Sequence, residues 1–179
     1  MKNYITLFLL LSSCVPCFNS SAEGNTNAPS YAKYMEQLGV TYNKNLELIT
    51  HYKGLLKALL CQESGYGRNI VGDGGRALGP LQEHPCIVDD ANMILGVKKY
   101  TYDDRMDLSK SIEMFLIYQE FYNPTRSIEK AARIWNGGPN AMKYTGTIAY
   151  WESVKWLIDN PKDELLAETL INSANIQAV

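Results

Sequence analysis

Residues that build metal and nucleotide sites are scarce in this chain. It has two histidines, His51 and His84, and neither has a Cys or His partner at metal-ligand spacing, so no metal site and no cofactor are expected. There is no phosphate loop and no dinucleotide fingerprint. No basic run occurs either: 17 Lys+Arg stand against 19 Asp+Glu, with a formal charge of -2 and a pI near 5.7. That balance argues against nucleic acid as a partner. The apolar run Ile5 to Leu11 falls well short of the ~20 residues a membrane-spanning helix needs. What remains is 46% apolar, 11% aromatic and 20% charged, the composition of one globular domain, and a monomer is expected. Twelve tyrosines and three tryptophans are core material first, and also flat faces on which sugars stack.

The beginning of the chain reads as a leader. Lys2 precedes the short apolar run, and Ser20 and Ala22 fit the small-x-small rule for cleavage, so residues 1–22 are expected to be a signal peptide and the protein to be secreted or periplasmic. Leu11-Ser12-Ser13-Cys14 also resembles a bacterial lipobox, which would leave a lipidated Cys14 at the mature end. Residues 23–41 are expected to be a flexible lead-in. Cleavage would leave Cys61 and Cys86, which in an oxidising compartment are expected to form one disulfide. It would close a loop of about 26 residues, contributing roughly 3 to 4 kcal/mol. The alternative is two buried free thiols.

The remainder is patterned as helices. Leu46, Ile49, Tyr52, Leu55, Leu56, Leu59 and Leu60 lie on one stripe of a helix over Tyr42 to Cys61, expected to be the central one. Ser64-Gly65-Tyr66-Gly67 ends it, and Gly72 to Gly79 is expected as a loop or a short irregular hairpin. Asp89 and Asp90 are expected to cap the next helix, with a role as a second acidic group in the chemistry as their fallback reading. Asp107 or Ser109 caps one running to about Tyr122, and Ser127 another through Trp135. Thr147 opens a helix through Ile158, and a peripheral helix over Asp163 to Ile171 is followed by a tail. The domain is thus 42–160, with 161–179 appended.

Chemistry enters at the end of the first helix. Glu63 follows an apolar stretch at a helix C-terminus, where desolvation and the negative end of the helix dipole both raise a carboxyl pKa. A general acid for glycosidic cleavage needs that, since it must carry its proton near neutral pH. Ser64 is not in a nucleophile-elbow pattern and is expected to hold the helix end.

Glu63-Ser64-Gly65, then Gly72-Asp73-Gly74-Gly75, then Ala77-Leu78-Gly79-Pro80-Leu81-Gln82 together resemble the lysozyme-like superfamily. Soluble lytic transglycosylases have a similar Glu-Ser-Gly and Gly-x-x-Gln. Invertebrate-type (destabilase-like) lysozymes have a similar Gly-Pro-x-Gln, and Trp135-Asn136-Gly137-Gly138-Pro139-Asn140 and Tyr150-Trp151-Glu152-Ser153-Val154 look like their ending. The resemblance implies a mainly α, lysozyme-like α+β domain with a catalytic helix and a small Gly-rich loop or hairpin. It also implies an antimicrobial or wall-degrading activity on the β-1,4 link between N-acetylmuramic acid and N-acetylglucosamine. Glu63 would be the acid, Asp73 the assisting carboxylate, and Ser64, Gly79, Gln82, Trp135, Asn136, Gly137 and Tyr150 the sugar-binding residues.

The sequence departs from that pattern in three places. The mature chain has two cysteines where invertebrate-type enzymes are disulfide-rich. Trp135 stands where Tyr or His is usual, and indole cannot exchange a proton. Glu83-His84-Pro85 replaces the usual apolar residue after Gln82. Two alternatives therefore accompany the hydrolase: a lytic transglycosylase, in which a muramic acid 6-hydroxyl replaces water, and a catalytically silent lysozyme-like sugar-binding protein.

Overall fold

The computed structural model describes residues 43–174. The expected leader and cleavage point, Cys14, the expected lead-in and residues 175–179 of the tail lie outside the described residues. The described chain is mainly helical, with one two-stranded antiparallel sheet. Helix α1, Asn43–Ser64, buries Tyr52, Leu55, Leu56, Leu59 and Leu60 of the expected stripe, while at its start Leu48 is buried and Leu46 is exposed. It stops where Gly65 and Tyr66 take positive φ (59° and 65°), their amides reaching back to the carbonyls of Cys61 (3.1 Å) and Leu60 (2.8 Å). Of the loop and the hairpin, the hairpin is the one found: β1, Val71–Gly72, pairs with β2, Ala77–Leu78, around a tight turn at Asp73–Gly75.

Helix α2, Pro85–Leu95, begins earlier than expected, because Pro85 has its φ preset for a first helical turn. Asp89 and Asp90 are therefore inside this helix and do not cap it. Helix α3, Leu108–Tyr122, is capped by Asp107, whose carboxylate accepts from the amides of Ser109 (2.8 Å) and Lys110 (3.1 Å). Ser127 caps α4, Ile128–Gly137, by accepting from the Lys130 amide. Thr147 does precede α5, Ile148–Asp159, but its hydroxyl does not cap the helix; it accepts from Arg133 Nε at 2.9 Å. Helix α6, Glu164–Ser173, lies against α1 with Ala167 and Ile171 buried.

The core is in two parts. One joins α1 to α3, α4 and α5 through Leu56, Leu59, Phe115, Ala132, Tyr150 and Val154. The other joins α2 to α3 through Val88, Ala91, Leu95, Met114, Ile117 and Tyr118. Helix α3 lies between them, with all nine residues from Ser111 to Gln119 buried. The enclosed helix is thus α3, whereas α1 leaves Glu47, Thr50, His51 and Gly54 exposed. No helix among the described residues is long and apolar enough to cross a membrane.

The Cys61–Cys86 disulfide does not form. Cys61 carries a free thiol, and Cys86 belongs to a disulfide that does not involve it. The two residues face different parts of the molecule. Cys61 lines a small cavity with Tyr66, Leu157 and Ala167, between α1, α5 and α6, while Cys86 opens α2, which packs on α3.

Candidate active site

Glu63 occupies the last turn of α1, half-buried, and the Tyr150 hydroxyl from α5 donates to its Oε1. Burial pushes the Glu63 pKa up to about 7, against the opposing effect of that hydrogen bond. Tyr150 is itself buried, and burial and the neighbouring Glu63 hold its phenol well above the ordinary value. It therefore remains a donor. The pair is a carboxyl that is partly protonated near neutrality, with one oxygen fixed in orientation.

Ser64 serves the turn. Its buried hydroxyl accepts from the Gly67 amide (2.7 Å) and donates to the Leu60 carbonyl (3.3 Å). The Ser64 carbonyl accepts from the Asn69 amide (2.9 Å), and Gln82 Nε2 donates to the carbonyls of Asn69 (3.2 Å) and Gly79 (2.8 Å). Gln82 Oε1 lies against Gly72, where a Cβ would come within 2.1 Å of it. Gln82 thus joins the helix end to the hairpin. Gly79, with φ +81°, is buried against the Arg105 carbonyl, which would stand 1.7 Å from an added Cβ.

Trp135 belongs to the same framework. Its indole N–H donates to the Leu81 carbonyl (3.3 Å), and its ring meets Phe115 and Tyr118 edge-on. Asn136 is exposed, and Gly137 fits closely against Thr147, whose Cγ2 would be 2.5 Å from a Cβ there. Asp73 stands apart from Glu63. Its Oδ1 accepts from Arg76 (2.7 Å), its Oδ2 is 3.6 Å from His84 Nε2, and it has no contact with Glu63. Burial lowers the His84 pKa, partly offset by Asp73, so the imidazole is neutral at pH 7. His51 donates from Nε2 to the Arg126 carbonyl (2.9 Å), remote from these groups in the groove it shares with Glu47 and Thr50.

Three buried polar residues escape a reading of the sequence. Arg105 donates to the carbonyls of Tyr102 (2.7 Å), Arg76 (2.9 Å) and Glu83 (3.0 Å). Arg133 ties Thr147 and the carbonyls of Ala141 and Tyr144 to α4. Glu83 is 1% exposed. Only Glu83 leaves a signal, as a charge where an apolar residue is usual. Among the described residues no group of His, Cys, Asp and Glu could hold a metal ion. Comparison with protein-family models, curated proteins and solved structures gives no match.

Proposed function

We propose that the protein is an exported, lysozyme-type glycosidase of peptidoglycan, cleaving the β-1,4 bond between N-acetylmuramic acid and N-acetylglucosamine. The observation that carries this reading is the half-buried Glu63 at the end of α1, with its pKa near 7 and the Tyr150 hydroxyl on one oxygen. The three sequence blocks of the lysozyme-like resemblance support it. In the reaction the C–O bond between the sugars breaks as Glu63 gives its proton to the leaving oxygen. In hydrolysis a water oxygen then bonds to the anomeric carbon and its proton goes to a carboxylate. Asp73 takes that role only if it turns from Arg76 toward the sugar.

The Arg76 ion pair on Asp73 Oδ1, and the lack of any hydrogen bond between Asp73 and Glu63, favour a second reading, the lytic route. There the muramic acid 6-hydroxyl bonds to the anomeric carbon and returns its proton to Glu63, so no second carboxylate is needed. Mass analysis of muropeptides released from purified cell walls separates the outcomes. Reducing ends mean hydrolysis, anhydro ends mean lytic cleavage, and no release means a binding protein.

A further inference from the structure

Glu83 is enclosed at the end of the hairpin segment. Its backbone forms a bridge with Leu78, each amide donating to the other's carbonyl (3.0 and 2.9 Å). Its side chain meets α3, where Oε2 lies 3.2 Å from Ser111 Oγ, and its Oε1 is buried without a hydrogen-bond partner. The proton count favours its neutral state. The Ser111 hydroxyl has one proton and lies 2.9 Å from the Arg105 carbonyl, which can only accept. With that proton donated to the Arg105 carbonyl, the shorter of the two contacts, the contact between Ser111 and Glu83 needs a proton from Glu83.

The surroundings agree. The Arg105 guanidinium is the nearby cation, but its hydrogen bonds go to three backbone carbonyls and none to the Glu83 carboxyl. Tyr100 faces Glu83 from the segment before Arg105 and donates its hydroxyl to Glu113 (2.8 Å). His84, next in the chain, has its pKa lowered, chiefly by burial. An ionised carboxylate with one oxygen unpartnered is far costlier to bury than a neutral acid. Burial accordingly raises the Glu83 pKa well above the ordinary range, against a smaller opposing effect from the Arg105 charge.

We propose that Glu83 is a positioning residue, a neutral carboxylic acid whose proton, donated to Ser111 Oγ, fastens the Gln82 turn and the hairpin to α3. It rests on the glycosidase reading only for the identity of the site being positioned.

The test uses no cleavage, so its failure is distinct from a failure to degrade walls. In a Glu63→Gln background, which removes the other raised carboxyl of the site, folding equilibria are measured by denaturant titration from pH 5 to 8 with and without Glu83→Gln. A folded pKa above the unfolded value of about 4.3 gives stability that is complete below that pH and declines as pH rises toward the folded pKa. The Glu83-containing protein should therefore lose about tenfold in its folding constant per pH unit relative to the Gln variant. Parallel pH profiles would show Glu83 ionised in the fold and overturn the proposal. Fastening is tested by amide exchange in Ser111→Ala, which should accelerate at least about tenfold at Leu78 and Glu83 with α3 unchanged. Unaltered exchange at those two amides would also overturn it.

Discussion

Burial and a hydrogen bond act in opposite directions on Glu63, and substitution can separate them. Tyr150→Phe removes the bond that lowers the Glu63 pKa, so the acid should hold its proton to a pH above 7. On the proposed mechanism the alkaline limb of the kcat profile then moves upward, measured as muropeptide release against pH, while Glu63→Gln reduces release by about 100-fold or more with the circular dichroism unchanged. Glu63 is legible in the sequence only together with the Gly-rich blocks that follow it, because a Glu in the last turn of a helix is by itself more often a plain exposed residue. Glu83 is not, because the residues that bury it, Arg105 and Ser111, come from 22 and 28 positions further along. Cys61 misleads for a related reason. Elimination leaves it one partner, yet the fold turns it toward α5 and α6. Cys61→Ala should cost about 1 kcal/mol in a denaturant titration, far below the 3 to 4 kcal/mol of a bridge, and should leave Cys86 without a new free thiol.

The hairpin has two residue pairs, too few to hold itself together in water. Gln82, Arg105 and the close approach of Gly79 to the Arg105 carbonyl hold it to the helices instead. Two glycines with similar φ should therefore respond differently to alanine. Gly74 (φ +63°) has open space around it, and Gly74→Ala should cost only the left-handed backbone, about 1 to 2 kcal/mol. Gly79→Ala adds a collision with backbone that no side-chain rotation relieves, so its unfolding free energy should fall further, by roughly 3 kcal/mol or more in a denaturant titration. Elements with polar caps are legible: Asp107 and Ser127 mark the starts of α3 and α4 in sequence and structure alike. Helix α2 is legible only in part, since two aspartates resemble caps while Pro85 sets the true start.

Across the whole molecule, titrating groups oppose one another. Burial holds Glu63 near 7 and Asp90 near 6, the latter with help from Asp89, so both contribute stability that is complete below about pH 4 and declines as pH rises toward those values. Glu168 on α6 does the reverse. Hydrogen bonds from Lys53 and Lys57 on α1 lower its pKa to about 2, so its contribution is complete above about pH 4 and is lost as pH falls toward 2. The thermal midpoint should therefore peak at about pH 4 to 5 and decline toward pH 8; a maximum at pH 8 would contradict these assignments. The enclosure of α3 also has a kinetic side. Helices α2 and α3 and the turn at Tyr102–Met106 are near neighbours in the chain, so the α2–α3 cluster closes short loops and can gather early. Glu63 and Tyr150 are 87 residues apart and meet only when α5 docks on α1. Ile117→Val should thus slow folding, and Val154→Ala should mainly speed unfolding in stopped-flow chevrons, placing assembly of the acid and its tyrosine after the rate-limiting step.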